Sequence, residues 1–272
     1  MTEEEVDQAI DWAAAEGWNP GFDDAPCFRA EDPDGFLVAL VDGQPVASIS
    51  VIAYGQDYGF LGFYIVLPEY RGRGIGYRLW QAGMQRLGDR VVGLDGVPDQ
   101  QENYKKSGFS LAYRNIRYSG EPTVEAPEDA RLVHIGPEWI DAVVDYDRPF
   151  FPAPRERFLR CWLSGETRQA WALVEGGRVR GYGVARGCRE GAKIGPLYAD
   201  DPARADLLFR QLASVAGSGP LALDTPEANA EAVALARRYG LTPNFETARM
   251  YKGPAPDLPT GRTFGVTTFE LG

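Results

Sequence analysis

A single histidine, His134, and three widely spaced cysteines, Cys27, Cys161 and Cys188, leave this chain short of the usual soft metal ligands. No pair among them has the spacing of a zinc site, so no metal is expected. The odd cysteine count, and an acidic start (Thr2-Glu3-Glu4-Glu5) in place of a basic, apolar leader, lead to the expectation of a cytoplasmic protein with free thiols. No apolar run approaches the roughly 18 residues a membrane span needs, so no membrane partner is expected. Basic residues are in deficit: 28 Lys and Arg against 39 Asp and Glu give a net charge of −11. Phosphate backbones need a basic surface, which argues against nucleic acid. The acidic balance mildly favours a cationic substrate such as an amine, but many soluble proteins are acidic for solubility alone.

What the chain does have is the composition of a globular protein, 44% hydrophobic and 25% charged, with 272 residues for one large domain or two of ordinary size. Its most informative stretch runs from Tyr64 to Trp80. The apolar segment Tyr64-Ile65-Val66-Leu67 stops at Pro68; Gly72, Gly74 and Gly76 follow at alternate positions among Arg71, Arg73 and Arg78; a helical pattern then begins. This reads as a strand, a glycine-rich turn and a helix start, where unpaired N–H groups and the positive end of the helix dipole suit a phosphate. Glycine at the position of Tyr77 would be needed for the dinucleotide fingerprint, although Asp95 stands at the distance at which that fingerprint carries its ribose-binding acid. No Gly-Lys-Ser/Thr follows, which removes the P-loop. The plain alternative is a turn that needs glycine for geometry alone.

The periodicities predict a helix over 3–16, a short helix over 23–30, strands over 36–41, 46–53 and 58–66, a helix from Arg73 to Leu87, a short buried strand over 91–94, a helix over 100–107 and a strand over 109–118. Residues 119–129, with Gly120, Pro122, Pro127 and four acids, have linker composition. The second half then repeats the plan element by element without evident sequence identity. Two domains are expected, 1–119 and 129–272. The first is the more acidic, at net −8 against −3 for the remainder.

The glycine turn follows an antiparallel meander rather than opening a βαβ unit. In this setting it resembles motif A of the GCN5-related N-acetyltransferase (GNAT) superfamily, Arg/Gln-x-x-Gly-x-Gly/Ala, with Arg71, Gly74 and Gly76 in the motif positions. Asn103-Tyr104-Lys105-Lys106-Ser107-Gly108-Phe109 resembles the family's Tyr-x-x-x-Gly-Phe segment. The resemblance covers about residues 1–118. It implies an α+β fold of two tandem GNAT domains, each a mixed, mostly antiparallel twisted sheet flanked by helices. It also implies that acetyl-CoA, or another short acyl-CoA, is the co-substrate, with its pyrophosphate on backbone N–H groups of Arg71, Gly72, Arg73, Gly74, Ile75 and Gly76. Backbone at Ile65 and Val66 would polarise the thioester carbonyl, Asn103 would flank the coenzyme, and Tyr104 would protonate the departing thiolate. The alternative for Tyr104 is an aromatic at the core edge with its hydroxyl in water. Asp200-Asp201-Pro202 stands where the second domain should carry its glycine turn, and Ala236 where it should carry the tyrosine. That domain is therefore read as degenerate and unable to bind coenzyme A. The whole chain is similar to a tandem GNAT subfamily of the YitH/HolE type, with Glu16-Gly17-Trp18-Asn19-Pro20-Gly21 and the tail Thr267-Thr268-Phe269-Glu270-Leu271-Gly272 as its marks.

The function implied is transfer of an acyl group to the primary amine of a small molecule. Binding of acyl-CoA without turnover, as a regulatory module, and a pure scaffold are the rivals. Trp18, Asn19, Phe22 and Asp23 are candidates for the acceptor pocket, with Asp24 beside them; a helix cap followed by a hydrophobic plug accounts for them equally well. The aromatic and charged loop Tyr146–Pro152, with Arg155 and Arg157, either closes that pocket from the second domain or packs the domains together. No general base stands out: His134 reads as structural and Glu69 as a loop-orienting carboxylate.

Overall fold

The structure is a computed structural model that describes every residue except Glu166. Helices α1 (Glu3–Ala15) and α2 (Asp24–Glu31) precede the meander β1 (Phe36–Val41), β2 (Gln44–Tyr54) and β3 (Tyr58–Val66). Then come α3 (Ile75–Leu87), β4 (Val91–Gly96), α4 (Gln101–Lys106) and β5 (Phe109–Gly120). The second half contains β6 (Leu132–His134), α5 (Pro137–Asp147), α6 (Glu156–Leu163), β7 (Arg168–Glu175), β8 (Arg178–Gly187) and β9 (Ala192–Ala199). It continues with α7 (Pro202–Val215), β10 (Leu221–Pro226), α8 (Ala230–Arg238), β11 (Thr242–Lys252) and β12 (Thr263–Gly265). Local chemistry explains the boundaries. Thr2 and Glu5 form a reciprocal capping box at the start of α1, which buries Val6, Ala9, Ile10 and Ala13 on one face. The hairpin turns Asp42-Gly43 and Gly176-Gly177 each place two residues at positive φ, the geometry that matches strand twist.

The halves repeat one another, but they do not form two separate sheets. One sheet runs β1-β2-β3-β4-β11-β5-β10-β9-β8-β7-β6, with β12 attached to β9. Each half lends its last long strand to the other: β11 lies between β4 and β5, and β5 between β11 and β10. Each half keeps one parallel pair, β3 with β4 and β9 with β10. Among the described residues, no helix is long and apolar enough to cross a membrane.

Three cores lie against this sheet. One packs α3 and α4 on the first half (Leu61, Ile75, Leu79, Trp80, Tyr104), and one packs α7 and α8 on the second (Leu197, Leu208, Phe209, Leu235). The third covers the opposite face and belongs to both halves: Phe28, Phe60 and Phe63 meet Phe151, Phe158, Trp162 and Tyr182. The Tyr146–Pro152 loop serves this shared core. Phe151 packs edge-on against Tyr54, with centroids 4.7 Å apart, and Arg155 is buried against Asp147 at 2.7 Å.

The cysteines depart from expectation. Cys27 on α2 and Cys161 on α6 form a disulfide across the shared core, joining the halves; Cys188 is free and buried. Their separation of 134 residues hides a pairing created by the face-to-face packing of two helices. Asp95 also has a different use from the one its spacing suggested. It pairs with Arg249 of the exchanged strand β11 (2.7 Å) and accepts from Asn115 (2.8 Å).

Candidate active site

After β3 the chain makes a tight turn over Pro68–Tyr70 and then rises through Gly72 (φ 75°) and Gly74 (φ 74°) into α3. Both φ values lie in the left-handed region, where a side chain is costly. Gly74 is the N-cap of α3 and supplies no side-chain oxygen to its N–H groups. The N–H of Arg71 donates to Pro68 (3.2 Å), and that of Arg78 to Gly74 (3.1 Å). Between them, the N–H groups of Gly72 to Tyr77 have no protein acceptor among the described residues. Gly76 serves packing: a Cβ there would sit 2.8 Å from Val66 Cγ2 and 2.9 Å from the Tyr64 hydroxyl. Of the backbone N–H groups from Arg71 to Gly76 expected to face a phosphate, that of Arg71 is taken by Pro68. The Arg71 Nε donates to the Val66 carbonyl (2.8 Å) and its NH2 to Glu16 (2.6 Å), so the side chain ties strand end, turn and α1 together. Arg73 lies over the Tyr70 ring, and Ile75, the first residue of α3, is buried.

The parallel pairing of β3 with β4 ends at Leu61 and Leu94. Beyond that point β3 is bulged, with Phe63 at φ 45° and a register shift between Ser48 and Ser50 of β2. The strands separate, and a cleft open to solvent forms between them, lined by Leu61 to Tyr64, Leu94, Val97 and Tyr104. Ile65 and Val66 remain paired with β2 at its rim. A groove between α3 and α4 adjoins the cleft and shares Tyr64, Gln100 and Tyr104 with it; Tyr77, Trp80, Asn103 and Ser107 complete its walls. Asn103 lies at the groove with its amide on Gln100 (3.0 Å).

Tyr104 stands where cleft and groove meet. Its ring stacks on Trp80 at 5.4 Å, over Gly96, whose Cβ would come within 2.7 Å of that ring. The residue is 8% exposed. Burial first, and the neighbouring Tyr64 second, raise its pKa, so the phenol stays protonated through the physiological range.

The rest of the cleft is walled by Trp18 from the loop after α1 and by Phe245, Thr247, Phe269 and Glu270 from the second half. Trp18 is held by its carbonyl, which accepts from Arg117 at 2.8 Å. Asn19, Phe22 and Asp23 lie outside the cleft. Asn19 exchanges two 2.9 Å hydrogen bonds with the backbone of Glu190. Phe22 is 66% exposed against Gly187. Asp23 is bound to Arg168 and Thr167. Asp24 is buried and paired with Arg186. Asn19, Asp23 and Asp24 share a physical reason: this loop docks the halves together, and their polar groups are spent in doing so, while Phe22 gives only its backbone N–H, to Gly187 at 3.2 Å. His134 sits on the edge strand β6 against Trp171. Phe245, Phe269 and Glu270 went unassigned in the sequence. The tail motif Thr267–Gly272 contains Phe269 and Glu270, while no sequence signal marked Phe245.

The second half shows what closes such a site. Its parallel pair separates beyond Ile194 and Leu223, and β12 occupies the gap: it pairs with β9 at Leu197 and Tyr198, and Val266 N–H donates to Asp224 (2.8 Å). At the start of α7, Asp201 accepts from Arg204 N–H (2.9 Å), while Asp200 accepts from Tyr146 and Arg262. The helix end that would receive a phosphate already holds a carboxylate of its own chain.

A parting parallel strand pair with a helix start between its strands occurs in both halves, uncapped at Gly74 in the first and capped by Asp201 in the second. In comparison with known families, residues 3–109 match the acetyltransferase (GNAT) family model and residues 143–265 an acetyltransferase (GNAT) domain model. The chain belongs to the GNAT family and is an acyltransferase built from two such domains. It is 36% identical to the holothin acyltransferase of Pseudoalteromonas sp. (strain SANK 73390), over 96% of this chain and 90% of that one. Among solved structures, a putative acetyltransferase from Pyrococcus horikoshii superposes with a TM-score of 0.82 at 22% identity, covering 100% of this chain and 94% of the other. A tandem GNAT protein from the clavulanic acid biosynthesis pathway gives 0.62 at 17% identity, covering 93% and 97%.

Proposed function

We propose that the first half transfers the acyl group of an acyl-CoA, acetyl-CoA foremost, to the primary amine of a small, flat molecule. The observation that carries this reading is continuity: free N–H groups, groove, Tyr104 and cleft form one path along the surface. The unpartnered N–H groups of Gly72 to Tyr77 fit a pyrophosphate; each hydrogen bond to a charged oxygen contributes roughly 1.5–3 kcal/mol. The pantetheine arm then follows Tyr64, Trp80 and Asn103, which brings the thioester to the parting strands. There β3 beyond Leu61 has no strand partner on its β4 side, so its backbone is available to the carbonyl. Tyr104, protonated, donates to the sulfur as the C–S bond breaks.

The acceptor side supports the substrate class. Trp18, Phe245 and Phe269 bring three aromatic rings to the cleft, which favours a planar amine over an extended polyamine. The relative at 36% identity is named for holothin, so that compound heads the acceptors to be tried. The test has two parts. Acetyl-CoA at about 100 times its Kd should stabilise the protein by about 2.7 kcal/mol, read as a melting-temperature shift. Thiol release from acetyl-CoA should then rise with aromatic amines in an acceptor screen. A flat melting curve would refute the reading.

A further inference from the structure

The cleft contains one carboxylate that no described residue binds directly. Glu270 lines it and is 3% exposed, yet its side chain makes no hydrogen bond or ion pair to any described residue. The other buried carboxylates around it are committed: Asp95 to Arg249, Asp24 to Arg186 and Asp224 to Arg117. A buried carboxylate without a partner costs stability. Such a group at a cleft is where function is to be sought.

Its placement is also specific. Phe60 and Phe63 point into the core beneath α1 and α2, while Leu61 points toward α3 and Tyr104. Gly62 faces the first of these sides, and the backbone of Glu270 lies against it where a Cβ would otherwise be. Glu270 and Tyr104 therefore approach one opening from opposite faces of the sheet. The cofactor groove reaches it from the Tyr104 side; the aromatic wall of Trp18, Phe245 and Phe269 stands on the other.

We propose that Glu270, carried on the tail of the degenerate half, is the general base that accepts the proton of the acceptor amine. This rests on the transferase reading above. The nitrogen lone pair attacks the thioester carbonyl and forms the C–N bond. The C–S bond breaks and its electron pair stays on sulfur, which takes a proton from Tyr104. The nitrogen gives its surplus proton to the Glu270 carboxylate, and solvent returns one proton to Tyr104 and removes one from Glu270. The products are the amide and free coenzyme A thiol. Burial raises the Glu270 pKa; Lys193, Arg186 and Arg117 oppose that rise and Asp24 adds to it. Across the opening stand Tyr64, Tyr104 and the Asp95–Arg249 pair. The net direction is upward, which makes this carboxylate a stronger base than a solvated one.

The experiment is a kcat/KM–pH profile of the wild type, Glu270→Gln and Glu270→Asp with an aromatic amine, together with the acetyl-CoA melting shift of each. Glu270→Gln should lose about 10²- to 10⁴-fold in kcat, keep the acetyl-CoA shift and lose the acidic limb of the profile. Glu270→Asp should keep that limb at a reduced rate. Glu270→Ala should regain part of its activity with added formate. A Glu270→Gln rate within a few fold of wild type, or formate without effect on Glu270→Ala, overturns the assignment while leaving the transferase reading intact. A wild type inert toward every amine overturns both.

Discussion

Gly62 of the first half lies directly beneath Glu270 of the second, so closely that a Cβ on the glycine would collide with the glutamate's carbonyl oxygen. The obstacle is backbone, which cannot rotate aside. Gly62→Ala should therefore cost about 1–3 kcal/mol and lower kcat by displacing the tail from the cleft. The acetyl-CoA melting shift should persist, because Gly72 to Tyr77 lie elsewhere. Full activity in this variant would show that the tail does not need its observed position.

Tyr104→Phe keeps the ring stacked on Trp80 and over Gly96 and removes only the hydroxyl. The melting temperature should stay close to wild type, with KM for acetyl-CoA little changed and kcat down by about 10²- to 10⁴-fold. Steady-state kinetics of the two proteins decide this. An unchanged kcat would remove the tyrosine from the chemistry.

Titration calorimetry with acetyl-CoA should give one site per chain. Asp201 caps the second helix start, and β12 fills the gap between β9 and β10. A stoichiometry of two would contradict both observations.

Reduction of the Cys27–Cys161 disulfide, or Cys27→Ser, should lower stability by about 2–4 kcal/mol, because it releases a loop of more than a hundred residues in the unfolded chain. The shared aromatic core should keep the halves together. Chemical denaturation with and without reductant measures the difference; coincident curves would contradict the pairing.

Much of the first half was legible in the chain itself. The glycine turn, the meander before it and the short helix carrying Tyr104 are local features, set by φ preferences, hydrophobic period and capping over a few residues. The repeat was legible for the same reason, as was the loss of the second glycine turn. Trp18 was found because its loop is short and distinctive. Asn19, Phe22 and Asp23 were assigned to a pocket because sequence alone cannot tell a loop that faces a substrate from one that faces another domain.

The sequence by itself determined the elements, their order, the tandem plan and the glycine turn that opens α3 in the first half alone. Only the tertiary structure decided which strands pair. A strand's alternation specifies its faces but not its neighbours, and so the exchange of β5 and β11, which brings Arg249 to Asp95, left no local mark. The same holds for contacts made over long separations. Cys27 meets Cys161, β12 plugs the second cleft, and Glu270 reaches the first, because packing two half-barren faces together buries more apolar surface than either half can alone.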